Sequence, residues 1–147
     1  MNKILTENWN SVVSQEDILI HLGDFSFGKV TKYLPYLNGK IILVRGNHDR
    51  GTDIKNCGLE IYQNLDFDYA GYRFKLNHRP VFEPNTIDEY NDQEKHAEID
   101  LKQYDYVLCG HIHEKWLTKQ KNINVGVDVW NFKPVSIDRI IELIKTL

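Results

Sequence analysis

Three short apolar runs of this chain are each followed, directly or after one residue, by a glycine and then by a polar residue that can bind a metal. The strands predicted from these runs are residues 17–22, 40–44 and 106–109. Short apolar runs bounded by turn residues are typical of buried strands. Because segments with helical spacing separate them, the sequence predicts an α/β or mixed α+β fold with polar residues at the carboxyl ends of its strands.

The remaining pattern predicts further helices and strands around these three strands. Helices are expected at residues 3–13, 29–37 and 92–102 and in a closing segment that begins at Ser136 and carries an isoleucine stripe. A hairpin over residues 65–77 and strands over residues 115–118 and 122–127 complete the prediction. Residues 83–103 have a polar, ambiguous pattern, and we expect a variable loop near the site there.

The side chains that follow the predicted strands form a set suited to transition metals. The candidate ligands are one carboxylate, one amide and three imidazoles: Asp24, Asn47, His78, His111 and His113. Nitrogen and oxygen ligands without thiolate favour Mn, Fe, Zn or Ni over Ca or Mg. Such ions lower the pKa of water to about 7 and activate it against phosphate esters. Since strand ends meet at one edge of a sheet, we expect these ligands to share one site.

Other polar residues beside these ligands could take part in the chemistry. His48 adjoins Asn47 and is the candidate to protonate the leaving oxygen, with Asp49 as its orienting partner. Arg45 and Arg79 could clamp phosphate oxygens in bidentate fashion, although a structural ion pair is an equally weighted reading for Arg45. Two further histidines lack such support, and we interpret them as a packed and a solvated side chain: His21 and His96.

Composition narrows the functional classes. The net charge is −3, so bulk charge does not indicate a nucleic-acid partner, although a local basic rim would still permit one. The sequence contains no apolar run of about 18 residues, and we expect no membrane span. It also shows no secretory signal pattern. The two cysteines, Cys57 and Cys109, do not suggest a disulfide framework, which fits a cytoplasmic location.

Four segments, taken in order, resemble the motif blocks of the calcineurin-like metallophosphoesterase superfamily. They are residues 22–25, 45–49, 77–80 and 109–113. The tail over residues 124–136 resembles the small, single-domain bacterial and phage-type members. The resemblance covers nearly the whole chain and implies one domain over residues 1–147, built as a two-sheet β-sandwich flanked by helices.

The resemblance also implies a two-metal site that acts on phosphomonoesters or phosphodiesters. By the family pattern Asp24 bridges the two cations, and Asn47, His78 and His111 complete the shell of one of them. His113 belongs to the other cation. His48 is the catalytic histidine that contacts the phosphate and the leaving group.

One motif of the family pattern does not occur in this sequence. The family opens with a strand ending in Asp-x-His, and no Asp-x-His is found here, so one metal position keeps only Asp24 and His113. We expect either a truncated chain or a variant that binds one metal. Truncation would leave strand edges free to pair in a homodimer.

The leading hypothesis is a metal-dependent phosphoesterase. The alternatives are a degenerate member that binds metal or phosphate with little catalysis, and a nuclease, against which the net charge of −3 argues.

Overall fold

The computed structural model describes residues 3–23, 34–46, 58–91 and 99–147. Several residues singled out above lie outside these ranges, and their predicted roles therefore stay predictions. They are Asp24, Asn47, His48, Asp49, Cys57 and His96.

The described residues form two sheets and few helices, which confirms the predicted mixed α/β class with two sheets. The helices are α1 (Lys3–Val12) and α2 (Ile137–Ile144), and short 3₁₀ turns lie at Leu34–Tyr36, Leu101–Gln103 and Val127–Val129. The strands are β1 (Ile18–His21), β2 (Lys40–Val44), β3 (Glu60–Tyr62), β4 (Leu65–Tyr69), β5 (Tyr72–Leu76), β6 (Tyr106–Cys109), β7 (Thr118–Lys119) and β8 (Asn122–Asn124).

The first sheet has the strand order β1-β2-β3, and both of its pairings are parallel. Helix α1 packs on this sheet through Trp9, which lies in one buried cluster with Ile41 and Leu43. The indole N–H of Trp9 also donates to the carbonyl of Asn38 at 3.0 Å. Leu43 of β2 is fully buried in the same cluster. Parallel pairing directs the carboxyl ends of β1 and β2 to one edge, where Gly23 and Gly46 follow.

The second sheet has the strand order β4-β5-β6-β8-β7. Its central pairs β5–β6 and β6–β8 are parallel, while β4–β5 and β7–β8 are antiparallel. Leu22 and Val44 from the first sheet pack in one buried cluster with Phe74, Leu108 and other residues of the second. The two sheets therefore share a core, which is the arrangement of a sandwich.

Helix α2 confirms the prediction for the end of the chain. Ser136 is its N-cap, and the hydroxyl oxygen accepts a hydrogen bond from Arg139 N at 3.1 Å. Its buried isoleucines, Ile140, Ile141 and Ile144, join the shared core. The stripe recurs at helical spacing, so one face of the helix is apolar and covers the sandwich.

Several predicted element boundaries are wrong within the described residues. The predicted helices at 29–37 and 92–102 contribute only the turns Leu34–Tyr36 and Leu101–Gln103 there. The predicted strand at 115–118 reduces to the short β7. The strand predicted over 122–127 ends at Asn124, because the side-chain oxygen of Asn124 accepts from Gly126 N at 2.8 Å and turns the chain away from the sheet.

Two further sequence predictions concern the membrane and Cys109. None of the helices in the described ranges has the length and apolar character needed to cross a bilayer. Cys109 lies fully buried on β6 with a free thiol, as predicted for a strand residue. Burial raises the pKa of this thiol far above its usual range, which keeps it protonated and unreactive.

Candidate metal centre

Gly23, the residue that follows β1 and Leu22, lies directly against the His78 side chain. Its φ is +101°, and a Cβ built there would lie 2.5 Å from His78 Nδ1 and 2.6 Å from the Cα of Gly46. Only glycine combines this backbone conformation with so close an approach. Gly23 and Gly46, which precede Asp24 and Asn47 in sequence, therefore lie beside the His78 ring.

His78 follows β5 and is buried, with 5% of its surface exposed. Its Nδ1 lies 2.6 Å from the main-chain carbonyl oxygen of Leu22. A carbonyl can only accept, so Nδ1 carries a proton and donates, and in the neutral ring Nε2 then keeps a lone pair. Histidines that bind metals use this arrangement, in which one ring N–H is held by a carbonyl or carboxylate and the other nitrogen is the ligand atom.

His111 follows β6 and faces His78. Its Nδ1 lies 3.1 Å from Nε2 of His78, and the two ring centroids are 4.8 Å apart. Two imidazole nitrogens bound to one tetrahedral cation, with bonds of about 2.0–2.1 Å, are separated by about 3.3 Å. The two rings therefore fit a shared divalent cation. Without a cation, the same distance suits a hydrogen bond from His111 Nδ1 to His78 Nε2.

The main chain of the 110–113 loop is held against the His78 segment. Gly110 N donates to the carbonyl of His78 at 3.0 Å, and Asn77 N donates to that of Leu108 at 3.1 Å. His111 adopts a φ of +70°, which a residue with a Cβ rarely does. Strained backbone of this kind is common at functional sites, where the surrounding structure holds it in place.

Tyr90 is a neighbour of His111 that the motif pattern did not identify. The two rings meet edge to face, with centroids 5.4 Å apart. Tyr90 N donates to Oδ1 of Asp88 at 2.8 Å, and Nζ of Lys119 lies 2.6 Å from Oδ2. Burial acts to raise the pKa of Asp88, but the hydrogen bonds from Lys119 and Tyr90 and the charge of Lys119 outweigh it and lower that pKa. An ionised Asp88 thus fixes the loop beside His111.

His113 lies two residues beyond His111 on an exposed part of the same loop. Its φ is +52°, and 76% of its side chain is exposed. Its Nδ1 lies 3.3 Å from Oδ2 of Asp128, in the turn Val127–Val129. Together with Glu114 these two side chains offer ligand atoms that all lie within 4.8 Å of one another. Asp128 was not among the sequence-predicted site residues, because its spacing matches no ligand motif.

The two predicted phosphate-binding arginines contribute main-chain contacts near the site. Arg45 N donates to the carbonyl of Tyr62 at 2.9 Å, which continues the pairing of β2 with β3. The carbonyl of Arg79 accepts from Nδ2 of Asn77 at 2.8 Å, so Asn77 closes the turn that presents His78. His21, interpreted as a packed residue, stacks on Trp9 with ring centroids 6.2 Å apart.

The chain is similar to several known proteins and solved structures. A protein of Methanocaldococcus jannaschii described as uncharacterized is 34% identical over 157 residues, covering 99% of this chain and 76% of the relative. The crystal structure of a protein of unknown function from Aquifex aeolicus superposes with a TM-score of 0.72 at 31% identity, covering 95% of this chain and 83% of that one. An archaeal phosphodiesterase aligns over 75% of this chain and 67% of its own, at 26% identity and a TM-score of 0.49.

The Aquifex protein carries the fold comparison, because its superposition extends over nearly the whole chain. The family described as the calcineurin-like phosphoesterase superfamily domain has a model that matches residues 2–137. That range includes all four segments whose order suggested the resemblance. The chain therefore belongs to the calcineurin-like phosphoesterase superfamily.

Proposed function

We propose that this protein is a metal-dependent phosphoesterase that hydrolyses phosphomonoesters or phosphodiesters. The observation that carries the proposal is the 3.1 Å separation of His78 Nε2 and His111 Nδ1. The fixed proton on His78 Nδ1 supports it, since Nε2 is then the ligand atom. Membership of the phosphoesterase superfamily supports the class of reaction.

The proposed metal ligands are three histidines that the structure describes and two residues that lie outside its described ranges. His78 and His111 would hold one cation together with Asp24 and Asn47, which follow Gly23 and Gly46 in sequence. His113 and Asp24 would be the ligands of a second cation. When bound, divalent cations of the Mn, Fe, Zn and Ni group lower the pKa of water and neutralise charge on phosphoryl oxygens.

The other residues in this proposal handle protons and the substrate phosphate. His48 protonates the leaving oxygen, and Asp49 orients its ring. Arg45 and Arg79 donate to phosphoryl oxygens, for which the planar guanidinium is well suited. These roles rest on the position of each residue beside a strand end in the sequence.

The test is a phosphatase assay of metal-stripped protein with a chromogenic aryl phosphate and, separately, a bis-aryl phosphate. We expect turnover that depends on added Mn²⁺, and a loss of at least about a hundredfold in H48A and H111A, since single catalytic groups contribute that much. D138N is the control, because Asp138 accepts from Tyr69 Oη at 2.6 Å, and Tyr69 pairs with Tyr72 at the end of β5 opposite the one that leads to His78. Folded wild-type protein that shows no turnover with Mn²⁺, Fe²⁺, Zn²⁺ or Ni²⁺ would refute the proposal.

The absence of an Asp-x-His motif from the sequence favours a second candidate function. In that case the chain binds one cation or a phosphate and turns over slowly or not at all. Elemental analysis separates the two functions: two cations per chain with turnover support the enzyme, and one cation without turnover supports the binding protein.

A further inference from the structure

We infer that Asp128 is a positioning residue for His113: its carboxylate fixes the imidazole so that the proton sits on Nδ1 and Nε2 remains the ligand atom. The inference rests on the proposed function in so far as His113 binds a cation. Asp128 lies outside the ligand motifs. His113 belongs to the metal position for which the sequence supplies only one further ligand, Asp24.

The first argument is the chemistry of the contact. Nδ1 of His113 and Oδ2 of Asp128 are 3.3 Å apart. An ionised carboxylate only accepts hydrogen bonds, so the ring nitrogen that faces it carries the proton. His78 is held in the same way by the carbonyl of Leu22, at 2.6 Å. Both histidines thus present Nε2, and each has a fixed acceptor on the opposite nitrogen.

The second argument is that one buried side chain holds both partners of this contact. Asn124 has no exposed surface. Its Nδ2 donates to the carbonyl of His113 at 2.7 Å and to that of Trp116 at 3.0 Å, while its Oδ1 accepts from Gly126 N at 2.8 Å. Asn124 therefore fixes the backbone of His113 on one side and the entry to the Asp128 turn on the other.

The third argument is that the turn carrying Asp128 is itself closed by hydrogen bonds. Trp130 Nε1 donates to the carbonyl of Asn124 at 2.8 Å, and Trp130 N donates to that of Val127 at 3.0 Å. Phe132 N donates to the same Val127 carbonyl at 2.8 Å. The carboxylate is thus presented from an ordered turn, as an orienting group requires.

The competing explanation is an ordinary surface ion pair. Exposed pairs of this kind contribute little to stability, and the His113 and Asp128 side chains are 76% and 34% exposed. Replacement of Asp128 should then leave the unfolding midpoint nearly unchanged. A loss of cation affinity on replacement of Asp128 could therefore not be attributed to a loss of folding stability.

The test is a double-mutant cycle read by calorimetric titration of Mn²⁺ into metal-free protein. We expect D128A to weaken cation binding about tenfold, as loss of an orienting partner does, with D128N recovering part of the affinity because its amide oxygen still accepts. In the H113A background, D128A should have no further effect. An equal effect of D128A with and without His113, or no effect in either, would overturn the inference.

The control is D138A, which removes another exposed carboxylate that accepts from a ring substituent, Tyr69 Oη at 2.6 Å. A second measurement does not depend on metal binding. Nitrogen-15 NMR of the neutral imidazole in metal-free protein should show the Nδ1–H form of His113 in the wild type and a shift towards Nε2–H in D128A. If the wild type already shows the Nε2–H form, the inference fails whether or not the protein is a phosphoesterase.

Discussion

His78 donates from Nδ1 to the main chain of Leu22 in one sheet and aims Nε2 at Nδ1 of His111 in the other, 3.1 Å away. The ring thus joins the two halves of the sandwich and carries one of the two nitrogens that face each other. We expect a structural and a chemical consequence of its loss.

Replacement of either histidine should abolish cation binding at the shared position, but the two variants should differ in stability. H78A leaves the buried Leu22 carbonyl without its donor, which costs about 1–3 kcal/mol. H111A removes a half-buried ring, for which about 1 kcal/mol is typical. Chemical denaturation of both metal-free variants checks the difference. Equal stability of the two would contradict the proposed role of the Leu22 hydrogen bond.

Gly23 should not tolerate any side chain, because its surroundings leave no room for a Cβ. Gly71 has a similar φ in open space, so it separates the effect of crowding from that of backbone strain. G23A places a methyl group 2.5 Å from His78 Nδ1 at a φ of +101°, whereas G71A introduces one at a φ of +83° with nothing within 4 Å. We expect about 1–3 kcal/mol from backbone strain in both variants. Only G23A should also lose stability through the clash and lose cation affinity. Similar effects of the two substitutions in denaturation and metal titration would argue against a tight contact at Gly23.

Two buried asparagines allow the support of His113 to be separated from general packing. Asn122 donates to the carbonyl of Val81 and accepts from its N–H, each at 2.8 Å, whereas Asn124 donates to the carbonyl of His113 at 2.7 Å. N122A and N124A should each destabilise the protein by at least about 1–3 kcal/mol, since each leaves buried polar groups unpaired. At a temperature where both variants are folded, N124A alone should weaken Mn²⁺ binding. Weaker binding in N122A as well would mean that the effect is not local.

The Asp88 carboxylate should make stability depend on acid. Burial opposes its ionisation, but Lys119 and Tyr90 N–H lower its pKa below the ordinary 3.8 in the folded protein. The resulting stabilisation is therefore present above about pH 3.8 and is lost as the pH falls through the lower folded pKa. D88N should show a smaller loss of unfolding free energy over that acidic range. An unchanged pH slope in D88N would show that other carboxylates dominate.

The sequence alone was sufficient for the strands that carry the site and less so for the elements between them. β2 and β6 are apolar runs, and their burial follows from composition. β3 was missed because Glu60–Tyr62 contains one aliphatic residue between a charged residue and a tyrosine, which is too short a pattern to predict a strand. The segment becomes a strand by pairing with β2.

The missed neighbours of the histidines share one physical cause. Asp128 reaches His113 because Asn124 turns the chain at Gly126, and Tyr90 reaches His111 because Lys119 pairs with Asp88. The first placement also needs the bond from Asn124 Nδ2 to the His113 carbonyl, and the second needs the Lys119–Asp88 pair, and both of these contacts join residues that are distant in sequence. Local spacing carries no trace of such bonds, whereas the ligand motifs are local by nature.

The bond between His78 and the Leu22 carbonyl has a further thermodynamic consequence. Because the acceptor is a main-chain carbonyl, no replacement of the Leu22 side chain can remove it. The backbone of the first sheet therefore determines which nitrogen of the His78 ring carries the proton. Separation of the sheets would free that nitrogen and disorganise the pair with His111. A cation that binds only the docked sheets must then strengthen their docking, so its concentration would set how firmly the two halves of the protein hold together.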